Sequence, residues 1–467
     1  MYNMLGYKKY IKYKTKYLLL KTKGQMGGQM GGKTNDLNEI ADALFGKMHS
    51  NIDHDAQSRN ANKLFSDLID DDPVKSGRLS WEHYKDLPVP ELVKLSKSNP
   101  VLRDIIYNST PAFKQNISVF PDAITLMKTF KNVQFVIDES NKFFSDNELA
   151  KIPNLVELNL TENDTITDEG LEGSTSLVTL DLSRNRRITD QSVGGLSNLT
   201  SLNLSSNEKI TDDALKRLIN LTSLNLTENN IITDQSVRNL IKLRELNLWH
   251  NMKITDASVE NLVNLEHLNL SLNEKITDNC LKYLLRLATL DLFANNKITD
   301  NGLKYLHNLT SLDLPVNNMI TDIGISLLPK LKRLNIRNNT KITDKGLYNL
   351  TNLEILELGQ DNITDEGIKN LKNLTHLSLG HNRVTDKGIK QLTGLTHLDL
   401  TENNSISDKG IKGLINLRYL DLCDNHMITD HGLVNLVNLE AIALRDNVVI
   451  SENMIGILRR RGAKIMK

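Results

Sequence analysis

Three groups of residues have the types and spacing that could do chemistry. Gly27-Gly28-Gln29-Met30-Gly31-Gly32-Lys33-Thr34 satisfies the phosphate-loop expression GxxxxGK[ST]. In such a loop, backbone N–H groups wrap phosphates, Lys33 would reach the terminal ones and Thr34 would hold magnesium. No strand ending in a magnesium-binding Asp follows, residues 34–130 show no parallel-sheet pattern, and the tandem GQMGGQMGG reads as a low-complexity linker. His376 and His397, with His381 nearby, have a spacing that suggests metal ligands, but no cysteine or carboxylate completes the set. The third group is apolar: Trp249-His250, Leu272, Phe293 and Pro315-Val316 recur at one place in consecutive segments. Aromatic anchors in an exposed apolar patch mark protein-binding hot spots. With no HExxH, no nucleophile elbow and no carboxylate pair that stands apart from a regularly recurring Asp, the expectation is a non-catalytic protein without cofactor or metal.

What positions the apolar group is a repeat. From Leu155 the pattern LxxLxLxxN returns with its first leucine at 177, 199, 221, 243, 265, 287, 309, 331 and 353, a step of 22. The step shortens to 21 at Leu374 and Leu395, then Leu417 and Leu439 resume 22, giving fourteen clear repeats. The missing residue falls in a loop after the Asn-type position, which Asp361 occupies in the first shortened unit, so a local irregularity is expected there. The alternating LxL predicts a short strand with inward leucines, and the following ITDxGLxxL predicts a short helix with Thr or Asp as N-cap. Neither half can bury its leucines alone, so neighbouring units must supply the missing wall. An inward Asn amide at the end of each strand can satisfy backbone groups that have no ladder partner.

Upstream, Val133, Val136, Asp138 and Asn141 stand in register as a degenerate unit, continued by Phe144-Ser145-Asp146, Leu149 and Ile152. Downstream, Ile450-Ser451-Glu452 with Ile455 and Leu458 completes the last one, and a basic tail from Arg459 closes the array. The expected organisation is a basic, Gly-containing leader at 1–33, a helical region or cap at 34–130, about fifteen units at 131–458, and a tail at 459–467.

Within each strand the residue between the two leucines of LxL is nearly uniform: Asn159, Asp181, Asn203, Asn225, Asn247, Asn269, Asp291 and Asp313. Such a polar ladder reads as a solvation device without specificity. The two residues after LxL vary more, and they become apolar only in the middle of the array. Partner contact is therefore expected at Trp249, His250, Leu272, Phe293, Pro315 and Val316.

Lys+Arg 57 balances Asp+Glu 57, which argues against a global field for nucleic acid, although residues 1–33 hold eight lysines and no acid. Tyr10, Tyr13, Tyr17 and Leu20 share one helical face there and Lys9, Lys12, Lys16 and Lys23 another, a pattern that suits weak surface contact or a solvated tail. No apolar run reaches the ~18 residues of a membrane span. Cys280 and Cys423 fall at different places in their repeats, so a disulfide is not expected. Without cysteine-rich caps the array is expected to be intracellular.

The joined consensus LxxLxLxxN and ITDxGLxxL resembles intracellular leucine-rich-repeat proteins, including those of F-box ubiquitin-ligase adaptors. The resemblance covers residues 131–458 and implies an α/β solenoid, a curved parallel sheet on the concave face with short helices on the convex face. It implies a protein partner and says nothing of which. Residues 1–33 resemble the Lys- and Tyr-rich leader of many proteins of giant DNA viruses of amoebae, which implies a host or viral partner and a place in host cytoplasm or virion. Residues 86–109 are similar to the opening of an F-box through Leu87, Pro88, Glu91 and Leu92, but depart from it at Pro90 and at Lys97-Ser98-Asn99-Pro100. The alternative reading is accordingly a ligase adaptor, with residues 86–130 recruiting the ligase and the repeats holding substrate.

Overall fold

The computed structural model describes residues 114–117, 134–138 and 144–466. The leader, the phosphate-loop match and the F-box-like stretch lie outside the described residues. Inside the region expected to be helical, Lys114–Ile117 forms a strand. Its β-branched Ile117 favours extended backbone over a helix.

From Leu155–Asn159 to Lys464–Met466, strand follows strand in parallel, each paired with the next in sequence. The register matches like with like: Leu290 lies opposite Leu268 on one side and Leu312 on the other. Between strands stands one turn of helix, such as Asp300–Leu303, capped by the Thr299 hydroxyl, which accepts the Asn301 N–H at 3.2 Å. In this repeat Leu287, Leu290, Leu292, Ile298, Leu303 and Leu306 are all buried. At roughly 2 kcal/mol for each buried aliphatic side chain, these layers hold the solenoid together. The leucine-rich-repeat solenoid expected from the spacing is the fold observed.

Gln134–Asp138 is a strand and Asp146–Leu149 a helix, where the degenerate unit was expected. Ser145 and Glu148 close a capping box at the start of that helix. The array does not stop at Leu458. The last helix runs Glu452–Arg460, and Lys464–Met466 adds a strand beside Ala441–Ala443, so residues 459–466 close the sheet instead of trailing from it. Ile465 lies in register with Ile442 and continues the leucine column one rung further.

The asparagine column is a hydrogen-bonded spine. Asn295 donates from Nδ2 to the Leu270 and Asn273 carbonyls of the preceding repeat at 2.9 and 3.0 Å. Its Oδ1 accepts the Lys297 and Ile298 N–H groups of its own loop. A second spine was not foreseen. Asn220, Asn264, Asn308 and Asn352, just before the first leucine of a repeat, each donate to a carbonyl of the repeat before, at 2.9–3.0 Å.

Candidate protein-binding surface

The turn after each strand sets the geometry of the candidate surface. The second residue after LxL has a positive φ: Glu228 53°, His250 50°, Leu272 52°, Ala294 50° and Val316 59°. Its N–H donates to the carbonyl of the residue one place earlier in the next repeat, as His250 does to Ser271 and Leu272 to Phe293, at 3.0 and 2.9 Å. The parallel ladder thereby extends past the strand, and the two variable columns sit on rigid backbone.

The polar ladder expected to serve solvation has a different task. Asn247 Oδ1 accepts the Trp249 N–H at 3.0 Å, Asn269 the Ser271 N–H at 2.8 Å, and Asp291 the Phe293 N–H at 3.1 Å. Each is an Asx turn that bends the chain out of the strand and fixes where the following side chain goes. At Asp313 this fails, because the residue two places on is Pro315, which has no N–H. Asp313 Oδ1 is buried without a hydrogen-bond partner. Burial, then the neighbouring Asp291 charge, push its pKa up to about 6.

Of the residues expected to form the patch, Phe293 is 39% and Val316 42% exposed. His250 is also exposed, while Trp249, Leu272 and Pro315 are half-buried. The Trp249 and His250 rings meet at 5.7 Å, tilted, so the indole packs partly against its neighbour. All six residues lie in the two turn columns of four consecutive repeats, so the structure brings them together. Charge borders them on both sides. Before the patch, His250 Nδ1 is 4.0 Å from Glu228. Beyond it, Arg333 pairs with Glu357 at 2.6 Å, and Arg337 reaches Ser378 at 2.6 Å and Asp399 at 3.3 Å. An apolar centre with a polar rim is the anatomy of a protein interface.

Strand residues beside the patch belong to the same surface and were not foreseen from the spacing. Glu245, His267, Thr289 and Asp291 line a shallow hollow of about 400 Å³ with Asn247 and Asn269. The signal was available: the first strand residue is Ser or Thr at 179, 201 and 223, then becomes Glu245 and His267.

His376 and His397 stack with ring centroids 4.0 Å apart, and Tyr419 continues the row 5.9 Å beyond His397. Thr375 and Thr396 hydroxyls meet the Nδ1 atoms at 2.9 Å. Burial, then the adjacent His397, hold His376 below the usual imidazole pKa. His381 pairs with Glu402 instead of joining them. Among the described residues no three His, Cys, Asp or Glu converge as metal ligands, and no helix is long and apolar enough to cross a membrane. Cys280 and Cys423 are both free and buried.

Three family models match the chain. The BspA-type leucine-rich repeat region matches residues 126–244 and 164–288, paired leucine-rich repeats match 307–348 and 372–413, and the single repeat matches 287–306 and 413–437. No curated protein matches. Among solved structures, an internalin (inlF) from Listeria monocytogenes is 29% identical, with 65% of this chain and 89% of that one covered and a TM-score of 0.48. A leucine-rich-repeat protein of Leptospira interrogans is 23% identical, covering 69% and 98%, with a TM-score of 0.49. By its repeat models and its solenoid, the chain belongs to the leucine-rich-repeat proteins.

Proposed function

We propose that this protein is a non-catalytic binding module that holds a host or viral protein against the turn columns from Trp249 to Val316. The observation that carries this reading is the change of chemistry in those columns. Polar residues such as Thr227-Glu228 give way to Trp249, Leu272, Phe293 and Val316 for four repeats, then return to Arg337-Asn338. The backbone beneath is continuous across this change, so the variation serves the surface and not the fold. The same reading places the protein inside cells, in host cytoplasm or virion, in keeping with two unpaired cysteines and the resemblance of residues 1–33 to the leaders of giant-virus proteins.

The test uses the full chain and the double variant Trp249→Ala with Phe293→Ala. Both side chains stand on turns outside the leucine core, so the thermal midpoint should change little. A partner captured from amoebal lysate by the wild type should be lost, by tenfold or more for two hot-spot residues. Equal capture by both chains would refute the assignment.

A further inference from the structure

A second surface lies on another side of the array, where each short helix returns to the next strand. Two residues before the first leucine of the next unit stand Ile219, Ile241, Val263 and Leu285, in four consecutive repeats. Each is between 48% and 57% exposed, more than any of the large apolar residues in the turn patch. The second asparagine spine pins two of the four: Asn264 donates to the Ile241 carbonyl and Asn308 to that of Leu285, both at 2.9 Å. Ser197 and His307 end the row.

Basic residues flank the row on both sides. Arg238, Lys282 and Lys304 are helix C-caps on one side, with Glu260 the one acid in that stretch of the column. On the other, Lys242 and Arg286 directly follow Ile241 and Leu285, and Lys330 holds the same column two repeats beyond Leu285. Among the described residues none of these six cations is in a salt bridge; Lys242 and Lys330 donate to Asn220 and Asn308 instead. In a chain whose charges balance overall, this is a local excess of positive charge. Repeats stack at roughly 5 Å, so the four aliphatic side chains form a line about 15 Å long. A helix presents one side chain per turn at about 5.4 Å, close to that spacing, whereas same-face residues of a strand lie about 6.8 Å apart.

We infer that this row is a docking strip for an acidic amphipathic helix of a protein partner, separate from the turn patch. The helix lays its apolar ridge along Ile219, Ile241, Val263 and Leu285, and its carboxylates meet the cations on either side. A line one side chain wide fits a helix ridge better than the plane of a bilayer.

The test uses the full chain as bait for a displayed library of random helix-length peptides. Enriched clones should be rich in Asp and Glu with aliphatic residues three and four apart. They should bind about tenfold or more weakly to Ile241→Asp with Leu285→Asp, more weakly to Arg238→Glu with Arg286→Glu, and equally well to Trp249→Ala with Phe293→Ala. Ile241→Ser with Leu285→Ser serves if the aspartate pair lowers the thermal midpoint. The inference is overturned if no clone distinguishes wild type from the row variants, or if row-dependent clones are neutral or basic. Row-dependent binding to phosphatidylserine vesicles without such clones, or row-dependent self-association in sedimentation, would assign the strip to a membrane or to a second copy and overturn it equally.

Discussion

Asp278 of one repeat accepts both the backbone N–H and the hydroxyl of Thr299 in the next, at 2.8 and 2.6 Å. The relationship recurs along the array, from Asp146 with Thr167 to Asp430 with Ser451. The Thr is an N-cap as its place before the helix implied; the Asp is a clamp between repeats. Asp278→Ala removes two hydrogen bonds, one charge-assisted on each Thr299 donor, and should lower stability by about 1–3 kcal/mol. Urea midpoints measure this, and a loss under about 0.5 kcal/mol would refute the clamp.

The clamp also explains the residue two places after each Asp. A Cβ on Gly302 would lie 2.5 Å from Asp278 Oδ1. Where serine occupies that column, it turns the crowding into a bond: Ser258 Oγ donates to Asp234 Oδ1 at 2.5 Å. Gly302→Ser should therefore change stability by less than about 0.5 kcal/mol, while Gly302→Leu displaces the carboxylate and costs about 2 kcal/mol or more. Equal midpoints for the two variants would contradict this account.

Asp361 interrupts the first asparagine spine. Ionised, it only accepts, taking the Gly359 N–H at 2.7 Å and the Ile363 N–H at 3.0 Å, and offers nothing to the repeat before it. One unit earlier, Asn339 Nδ2 is buried with no partner. Burial above all, with the Asp344 charge adding to it, raises the Asp361 pKa to about 6. The native state thus holds the proton more tightly than the unfolded chain, whose Asp titrates near about 4. The stability that Asp361 itself contributes is greatest below that lower value, falls as pH rises to about 6, and is flat beyond. Asp361→Asn should remove this contribution to the slope and stabilise the protein at neutral pH by roughly 2–3 kcal/mol. Denaturation midpoints of both chains at acid and neutral pH check it; parallel curves would be the contrary result.

Much of this was legible in the sequence, because a buried leucine repeated at fixed spacing has one economical explanation. Leu290, Asn295 and Ile298 each announce their layer by residue type alone. The link from Asp278 to Thr299 does not, since it joins residues of different repeats and the local Thr-Asp pair already has a sufficient reading as a cap. The left-handed turn was equally hidden. That conformation normally advertises itself through Gly or Asn, but here Glu228, His250, Leu272 and Val316 adopt it because the extended ladder holds them there. The turn patch was visible as composition; its exposure, set by how Trp249 leans on His250, was not.

Val316 combines a β-branched side chain with φ of 59°, a pairing that costs about 1–2 kcal/mol. Asn338 fills the same column one repeat later at φ 58° without that cost. Val316→Asn should raise stability by about 1 kcal/mol. If the strain is retained for the surface, the same variant should weaken partner capture although the fold is firmer. A stabilised variant with undiminished capture would remove Val316 from the binding surface.

Pro315 and Asp313 offer the last test, and it concerns a proton. Phe293 and Arg337, at the same place in the neighbouring repeats, donate their N–H groups to Asp291 and Asn335, each at 3.1 Å. Pro315 cannot, and the Asp313 carboxylate is left with an orphan oxygen. Pro315→Ala supplies the missing N–H, which bonds to the charged form and draws the proton affinity down. The Asp313 midpoint should fall from about 6 by about one pH unit in a carboxyl-carbon NMR titration. Asp291→Asn should lower it as well, by removing the neighbouring charge, and the two effects should combine in the double variant. A midpoint that moves with Asp291→Asn alone would assign the shift to charge and burial, and would leave the proline without a part in it.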